Sequence, residues 1–237
     1  MKVGSPMRSR PVETRLQSKA FRWKASSTGT LPYLQYLPRG YRAKGPKRWP
    51  LMLFLHGSGE RGTDLQRVAV HGPLKHVNQG KEFPFIIVAP QCPADQAWEN
   101  DRLVRLLDHC LKRYPADRNH IYLTGISMGG FGAWNLAIAH PERFAAVVPV
   151  CGGGDMLSVL LADSAQAAEF KRLPVWAFHG GNDSVVPPTE SQRMLTALKQ
   201  RGAKRLKLTI YPTIQHNAWD NAYNNPKLYA WLLRQAR

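Results

Sequence analysis

The sequence predicts an α/β fold: a mostly parallel central sheet with helices on both faces. Three observations carry that expectation. Four runs, Leu51–Leu55, Phe85–Ala89, Ala145–Val150 and Pro174–Phe178, are apolar throughout, the pattern of strands buried on both faces of a parallel sheet. Segments with helical spacing separate such runs, as in Leu103, Leu106, Leu107, Cys110, Leu111 and Tyr114, with Arg, Asp and Lys between them. Finally, Ile121–Gly132 passes from a β-branched apolar start through Gly125-Ile126-Ser127-Met128-Gly129 into helix-forming residues. Alternation of strand and helix specifies parallel strands joined by helical crossovers.

Taken in order, residues 1–18 are polar, basic and proline-interrupted and read as a flexible arm, leaving 19–237 as a single domain. Ala20–Lys24 and Leu31–Leu37 read as two antiparallel strands around the Ser26–Thr30 turn cluster. Lys44–Pro50 is a basic loop before the strand Leu51–Leu55, which runs into His56-Gly57-Ser58-Gly59-Glu60-Arg61-Gly62. Asp64–Gln79 reads as an imperfect helix broken near Pro73, and the strand Phe85–Ala89 ends in Pro90-Gln91-Cys92-Pro93. The helix after Ser127 ends at His140-Pro141. The strand Ala145–Val150 leads to Cys151-Gly152-Gly153-Gly154-Asp155, and Pro174–Phe178 leads to His179-Gly180-Gly181-Asn182-Asp183. A helix over Thr189–Gln200, a last strand Lys207–Tyr211 and a closing helix Tyr223–Gln235 complete the chain.

Composition narrows the class. With 43% hydrophobic and 21% charged residues the chain fits a globular domain. No apolar run approaches the roughly 20 residues that cross a bilayer, and no apolar stretch follows the basic start, so a cytoplasmic protein without membrane contact is expected. Cys92, Cys110 and Cys151 are odd in number and lack C-x-x-C spacing, which points to reduced thiols rather than disulfides or zinc. The net charge of +17 favours contact with polyanions. The basic residues are scattered, however, with no RNA-binding aromatic strand, basic zipper or zinc knuckle, so no specific nucleic-acid partner is expected.

The chemistry follows from which strand ends carry polar residues, because open α/β sheets bind ligands at the carboxyl ends of their strands. Ser58, Ser127, Asp183 and His216 all fall there. A serine hydroxyl needs a base, an imidazole suits that task, and a carboxylate must fix the imidazole's tautomer. Asp155, Asp163 and Asp220 compete with Asp183 for the acid role, and His179 competes with His216 for the base. The flanking glycines let the chain turn sharply around Ser127, and the following helix turns its free N–H groups to the same spot.

These motifs resemble those of α/β-hydrolase esterases related to dienelactone hydrolases, feruloyl esterases and polyhydroxyalkanoate depolymerases. The resemblance runs from about Leu31 to the C-terminus and rests on Leu55–Gly62, Ala89–Pro93, Gly125–Gly130, Phe178–Asp183 and His216-Asn217-Ala218-Trp219. It implies Ser127 as nucleophile, Asp183 as acid and His216 as base, with backbone N–H groups of Ser58 and Met128 forming an oxyanion hole. It also implies hydrolysis of a small-molecule carboxylic ester through an acyl-enzyme, with no cofactor and no metal. Trp98 and Trp219, on loops at the same edge, and Gln91 are expected to contact substrate. The segment 151–173 is too short for a large lipase lid. Glu60 and Arg61 are expected either to contact substrate or to form an ion pair bracing their loop. His56 and His179 are expected to be structural. Two rivals share the sequence: a serine peptidase on the same fold, and a polyanion-binding protein with an idle triad.

Overall fold

A computed structural model of the chain describes residues 15–24 and 28–237. Eight strands form one sheet: β1 (Leu16–Lys24), β2 (Thr28–Tyr36), β3 (Trp49–Leu55), β4 (Ile86–Pro90), β5 (Ala116–Ile126), β6 (Ala146–Val150), β7 (Val175–Gly180) and β8 (Leu206–Tyr211). Their order is β1-β2-β4-β3-β5-β6-β7-β8. β1 and β2 are antiparallel additions at one edge, and β3 to β8 all pair in parallel. The helices are α1 (Gly72–Asn78), α2 (Asn100–Arg113), α3 (Met128–Ala139), α4 (Met156–Leu160), α5 (Ser164–Arg172), α6 (Thr189–Gln200), α7 (Trp219–Asn224) and α8 (Pro226–Leu232).

The apolar strand runs have a simple cause. Leu51, Leu53 and Leu55 pack with residues of α2, α3, α5 and α6 on one face, whereas Met52 and Phe54 pack with α1, α7 and α8 on the other. Successive strand residues alternate between the two cores, so every position is buried and none needs to be polar. Registers then align the carboxyl ends. Leu55 pairs with Gly125, Ile126 with Val150, Val150 with Phe178, and Gly180 with Tyr211. Loops leaving β3, β5, β7 and β8 therefore emerge along one edge.

Several element boundaries differ from expectation. β1 begins at Leu16 rather than Ala20, because its whole length pairs with β2 from Leu16↔Tyr36 onward. That strand takes in residues assigned to the arm, and residues 1–14 lie outside the described part. Pro73 starts α1 instead of breaking a helix, since the first turn needs no proline N–H. Asp64 caps a separate 3₁₀ turn over Leu65–Ala69, its side chain accepting from Gln66 N. The closing helix is two, α7 and α8, divided where Pro226 opens α8. The segment after β6 carries α4 and α5, each begun by an aspartate cap, Asp155 and Asp163.

Candidate active site

Ser127 sits between β5 and α3 with φ 51 and ψ −117, a backbone region that side chains other than glycine rarely adopt. The fold holds it there: Ser127 N donates to Val150 O (2.9 Å), and Ser127 O accepts from Phe131 N (3.0 Å). Close approach fixes the neighbouring glycine. A Cβ on Gly129 would lie 2.0 Å from Leu55 O, so α3 can press on β3 only without a side chain there. The N–H of Met128 opens α3 and has no acceptor within the helix.

His216 arrives on the loop after β8, which is clipped to the end of β7 through Asn182 N to Ile214 O (3.0 Å) and Gly181 N to Tyr211 O (2.8 Å). Its Nδ1 lies 2.7 Å from Asp183 Oδ2 and its Nε2 lies 2.8 Å from Ser127 Oγ. A carboxylate only accepts, so Nδ1 carries the proton and Nε2 is left to accept from the serine hydroxyl. Asp183 is buried, and its Oδ1 accepts from Val185 N (3.0 Å) and Val186 N (2.9 Å). The loop turn thereby aims Oδ2 at the histidine.

The competing aspartates fall elsewhere, whereas His179 lies against Asp183, its Nε2 3.4 Å from Oδ2, but is bonded to Val186 O and Ser191 Oγ and not to Ser127. Asp155 and Asp163 cap helices, and Asp220 pairs with Lys75 at 2.8 Å. His179 is buried beneath the acid loop, with Nδ1 2.8 Å from Ser191 Oγ and Nε2 2.9 Å from Val186 O. Burial lowers its pKa. His56 is likewise buried, its Nδ1 2.6 Å from Gly57 O and its Nε2 accepting from Cys92 N at 2.9 Å. Donors of Cys151, His179 and Asp183 lie within 4.8 Å of one another, but the two charged-type side chains are already occupied by these hydrogen bonds. The three cysteines are buried and unpaired, and burial raises the thiols to about 11 at Cys92 and about 12 at Cys110 and Cys151.

Ser58 is exposed and opens a 3₁₀ turn, Ser58–Glu60, directly after β3. Gln91 holds that loop: its Nε2 donates to Glu60 O (2.9 Å) and Asp64 O (2.7 Å). With only 1% of its surface exposed, Gln91 is a brace and not the substrate contact expected of it. Trp98 also turns partly inward. Its indole N–H donates to His56 O (3.1 Å), and its ring packs so closely that a Cβ on Gly132 would lie 2.9 Å away. Trp219 stands edge-on to His216, ring centroids 5.3 Å apart.

The expected Glu60–Arg61 ion pair is absent. Arg61 Nε reaches Ser58 O (3.0 Å) and Nη1 reaches Gln96 O (3.2 Å), while the Glu60 carboxylate turns inward between His56 and His71. The neighbourhood of Glu60 and His71 was not legible from spacing, because a 3₁₀ turn and a tertiary contact with Trp219 create it. Glu60 lying within a loop at a strand's carboxyl end was the one available signal.

The eight-stranded, mostly parallel sheet with a serine at the β5–α3 turn defines an α/β-hydrolase. A model of the phospholipase/carboxylesterase family matches residues 95–225, more than half of the chain, and the chain belongs to that family. It is 27% identical over 148 residues to a bifunctional acetylxylan esterase/xylanase of Neocallimastix patriciarum, a match covering 58% of this chain and 20% of that protein. A thermostable esterase structure superposes with a TM-score of 0.73 at 29% identity, covering 93% of this chain and 63% of that one. A ferulic acid esterase shares the fold at a TM-score of 0.71 and 18% identity, over 92% of this chain and 99% of that one. The chain thus spans a fifth of the length of the curated relative. No helix among the described residues is long and apolar enough to cross a membrane.

Proposed function

We propose that the chain is a serine esterase that hydrolyses carboxylic esters through an acyl-enzyme on Ser127. The observation that carries this reading is the unbroken line from Asp183 Oδ2 to His216 Nδ1 (2.7 Å) and from His216 Nε2 to Ser127 Oγ (2.8 Å), ending at a strained turn before a helix. In the first half-reaction Nε2 takes the serine proton as Oγ attacks the ester carbonyl. The N–H groups of Met128 and Ser58 receive the oxyanion, an arrangement in which one donor contributes about 10²–10³ in kcat. The protonated His216, held by Asp183, then gives its proton to the leaving alcohol. Water repeats the sequence, releasing the acid and restoring Ser127. Trp219 walls the side of His216.

The small superstructure supports a substrate class: α4 and α5 are the only helices between β6 and β7 among the described residues. A site with so little chain to cover it suits short acyl or aromatic-acid esters better than long chains needing enclosure. The test is hydrolysis of p-nitrophenyl acetate, butyrate and octanoate, and of an N-acyl p-nitroanilide, by wild type and Ser127→Ala. A fluorophosphonate probe with peptide mapping locates the nucleophile. Ester turnover that falls by several orders of magnitude in the variant, with the label on Ser127, is expected. Silence on all esters with an unlabelled Ser127 would remove the proposal, and faster anilide cleavage would move it to peptide bonds.

A further inference from the structure

The Glu60 side chain is 12% exposed and lacks a cation at ion-pair distance other than two histidines: Oε2 is 3.9 Å from His56 Nδ1, and Oε1 is 3.8 Å from His71 Nε2. Neither contact is a hydrogen bond, which needs about 2.7–3.2 Å. His56 Nδ1 is in any case engaged by Gly57 O at 2.6 Å. Among the described residues, three buried polar atoms of this wall have no partner: Glu60 Oε2, His71 Nδ1 and Trp219 Nε1. A buried polar group left unpaired costs roughly 1–3 kcal/mol, more if charged. Those three atoms are sealed from solvent; Glu60 Oε1 and His71 Nε2 also lack a hydrogen bond but are not sealed, and they are the atoms that can take a polar group.

The wall stands beside the reacting atoms. A Cβ on Gly57 would lie 3.2 Å from Glu60 Oε2 and 3.7 Å from Ser127 Cβ, so the carboxylate and the serine both lie close to that one position. His71 packs on Trp219 with ring centroids 5.3 Å apart, and Trp219 packs on His216 at the same 5.3 Å. His216 is the group that protonates the departing alcohol, so this wall borders the alcohol side of the ester. The chemistry of the pair is specific. His71 Nδ1 has no acceptor, so its ring proton belongs on Nε2, the nitrogen directed at Glu60. An N–H donor and a carboxylate acceptor 3.8 Å apart are too far to bond each other. One hydroxyl oxygen set to the side of the pair, about 2.8 Å from each atom, can accept from Nε2–H and donate to Oε1.

We infer that Glu60 and His71 form a hydroxyl-binding subsite on the alcohol side, making esters of polyols or sugars better substrates than esters of plain alkanols. This rests on the esterase reading. The test compares 2-hydroxyethyl acetate with propyl acetate, which differ in a terminal hydroxyl against a methyl group, each kcat/KM being divided by the ester's rate constant with hydroxide. Wild type should favour the hydroxyl ester by about 10-fold or more, the discrimination expected of a hydrogen bond to a charged group. In Glu60→Leu the ratio should fall to about one, and in His71→Phe, which keeps the aromatic packing on Trp219, it should fall part of the way. A wild-type ratio near one, or a ratio unchanged in both variants, overturns the subsite. Fluorophosphonate labelling of Ser127 reports whether each variant folds, and if Glu60→Leu does not, wild type and His71→Phe decide. Failure of both esters in wild type together with an unlabelled serine would instead overturn the esterase reading.

Discussion

His56 shows how a side chain outside the reacting line can set the conditions under which the site exists. It is fully buried, with Nδ1–H given to Gly57 O and Nε2 accepting from Cys92 N, so it ties the loop after β3 to the loop after β4 only in its neutral form. Burial lowers its pKa to about 4, against about 6.5 in an unfolded chain. The unfolded state therefore takes up a proton that the folded state refuses. Stability present above about pH 6.5 should decline as pH falls towards about 4, by something on the order of 3 kcal/mol for full burial. Thermal melts across that window should show the decline in wild type, and His56→Gln should be less stable at neutral pH but flatter with pH. Parallel pH curves for the two proteins would mean that another group is responsible. The three residues proposed as the triad could be singled out in the sequence because each follows a strand end by a few residues, and the fold brings them within hydrogen-bond distance of one another. The role of Gln91 was not: its position suggested a contact in the cleft, and only the fold shows its amide turned back on Glu60 O and Asp64 O.

At the level of elements, the contact between α3 and β3 decides where Ser127 stands. Gly129 is the point of contact, with no room for a methyl group against Leu55 O. Gly129→Ala must push the N-terminus of α3 off the sheet, moving Ser127 and costing about 1–3 kcal/mol or more, because backbone atoms cannot swing aside. Gly59→Ala is the control, since its Cβ would meet nothing within 4 Å. Urea midpoints and the rate of fluorophosphonate labelling should both fall for Gly129→Ala and hold for Gly59→Ala; equal behaviour of the two would show that α3 has slack. The same comparison explains which elements the sequence disclosed. Strands such as β3 and β4 were visible because two cores bury both of their faces, leaving uninterrupted apolar runs. Helices α4 and α5 were not, because both are short and α4 exposes its apolar Leu157 and Leu160. Pro73 and Pro226 were ambiguous for a related reason: proline both ends a helix and begins one, and only the paths into α1 and α8 choose between these.

For the whole molecule the question is what a net charge of +17 does to an active site. Arg39, Arg42, Lys44, Lys47 and Arg48 lie exposed on the loop that enters β3, and Lys112 and Arg113 end α2. Among the described residues none of these seven forms a salt bridge with a carboxylate; Lys47 instead lies over the Trp49 ring at 3.6 Å. That loop meets the start of β5, since Trp49 pairs with Ala116, whereas Ser127 follows the strand's other end. At about 3.3 Å per residue the two ends of β5 are roughly 30 Å apart, several times the screening length of about 8 Å at physiological salt. This basic cluster and the proposed site therefore lie at opposite ends of β5, although Arg61 and Arg67 stand on the loop beside Ser58, bonded to Ser58 O and Gly59 O. Retention on a cation exchanger, or on immobilised polyanion, should fall steeply as salt rises from about 0.05 to 0.5 M, while kcat/KM for a neutral ester stays within about twofold. Saturating the protein with heparin should likewise leave ester turnover in place. A KM that climbs with salt, or turnover blocked by heparin, would instead bring the basic surface to the mouth of the cleft and make it part of substrate recognition.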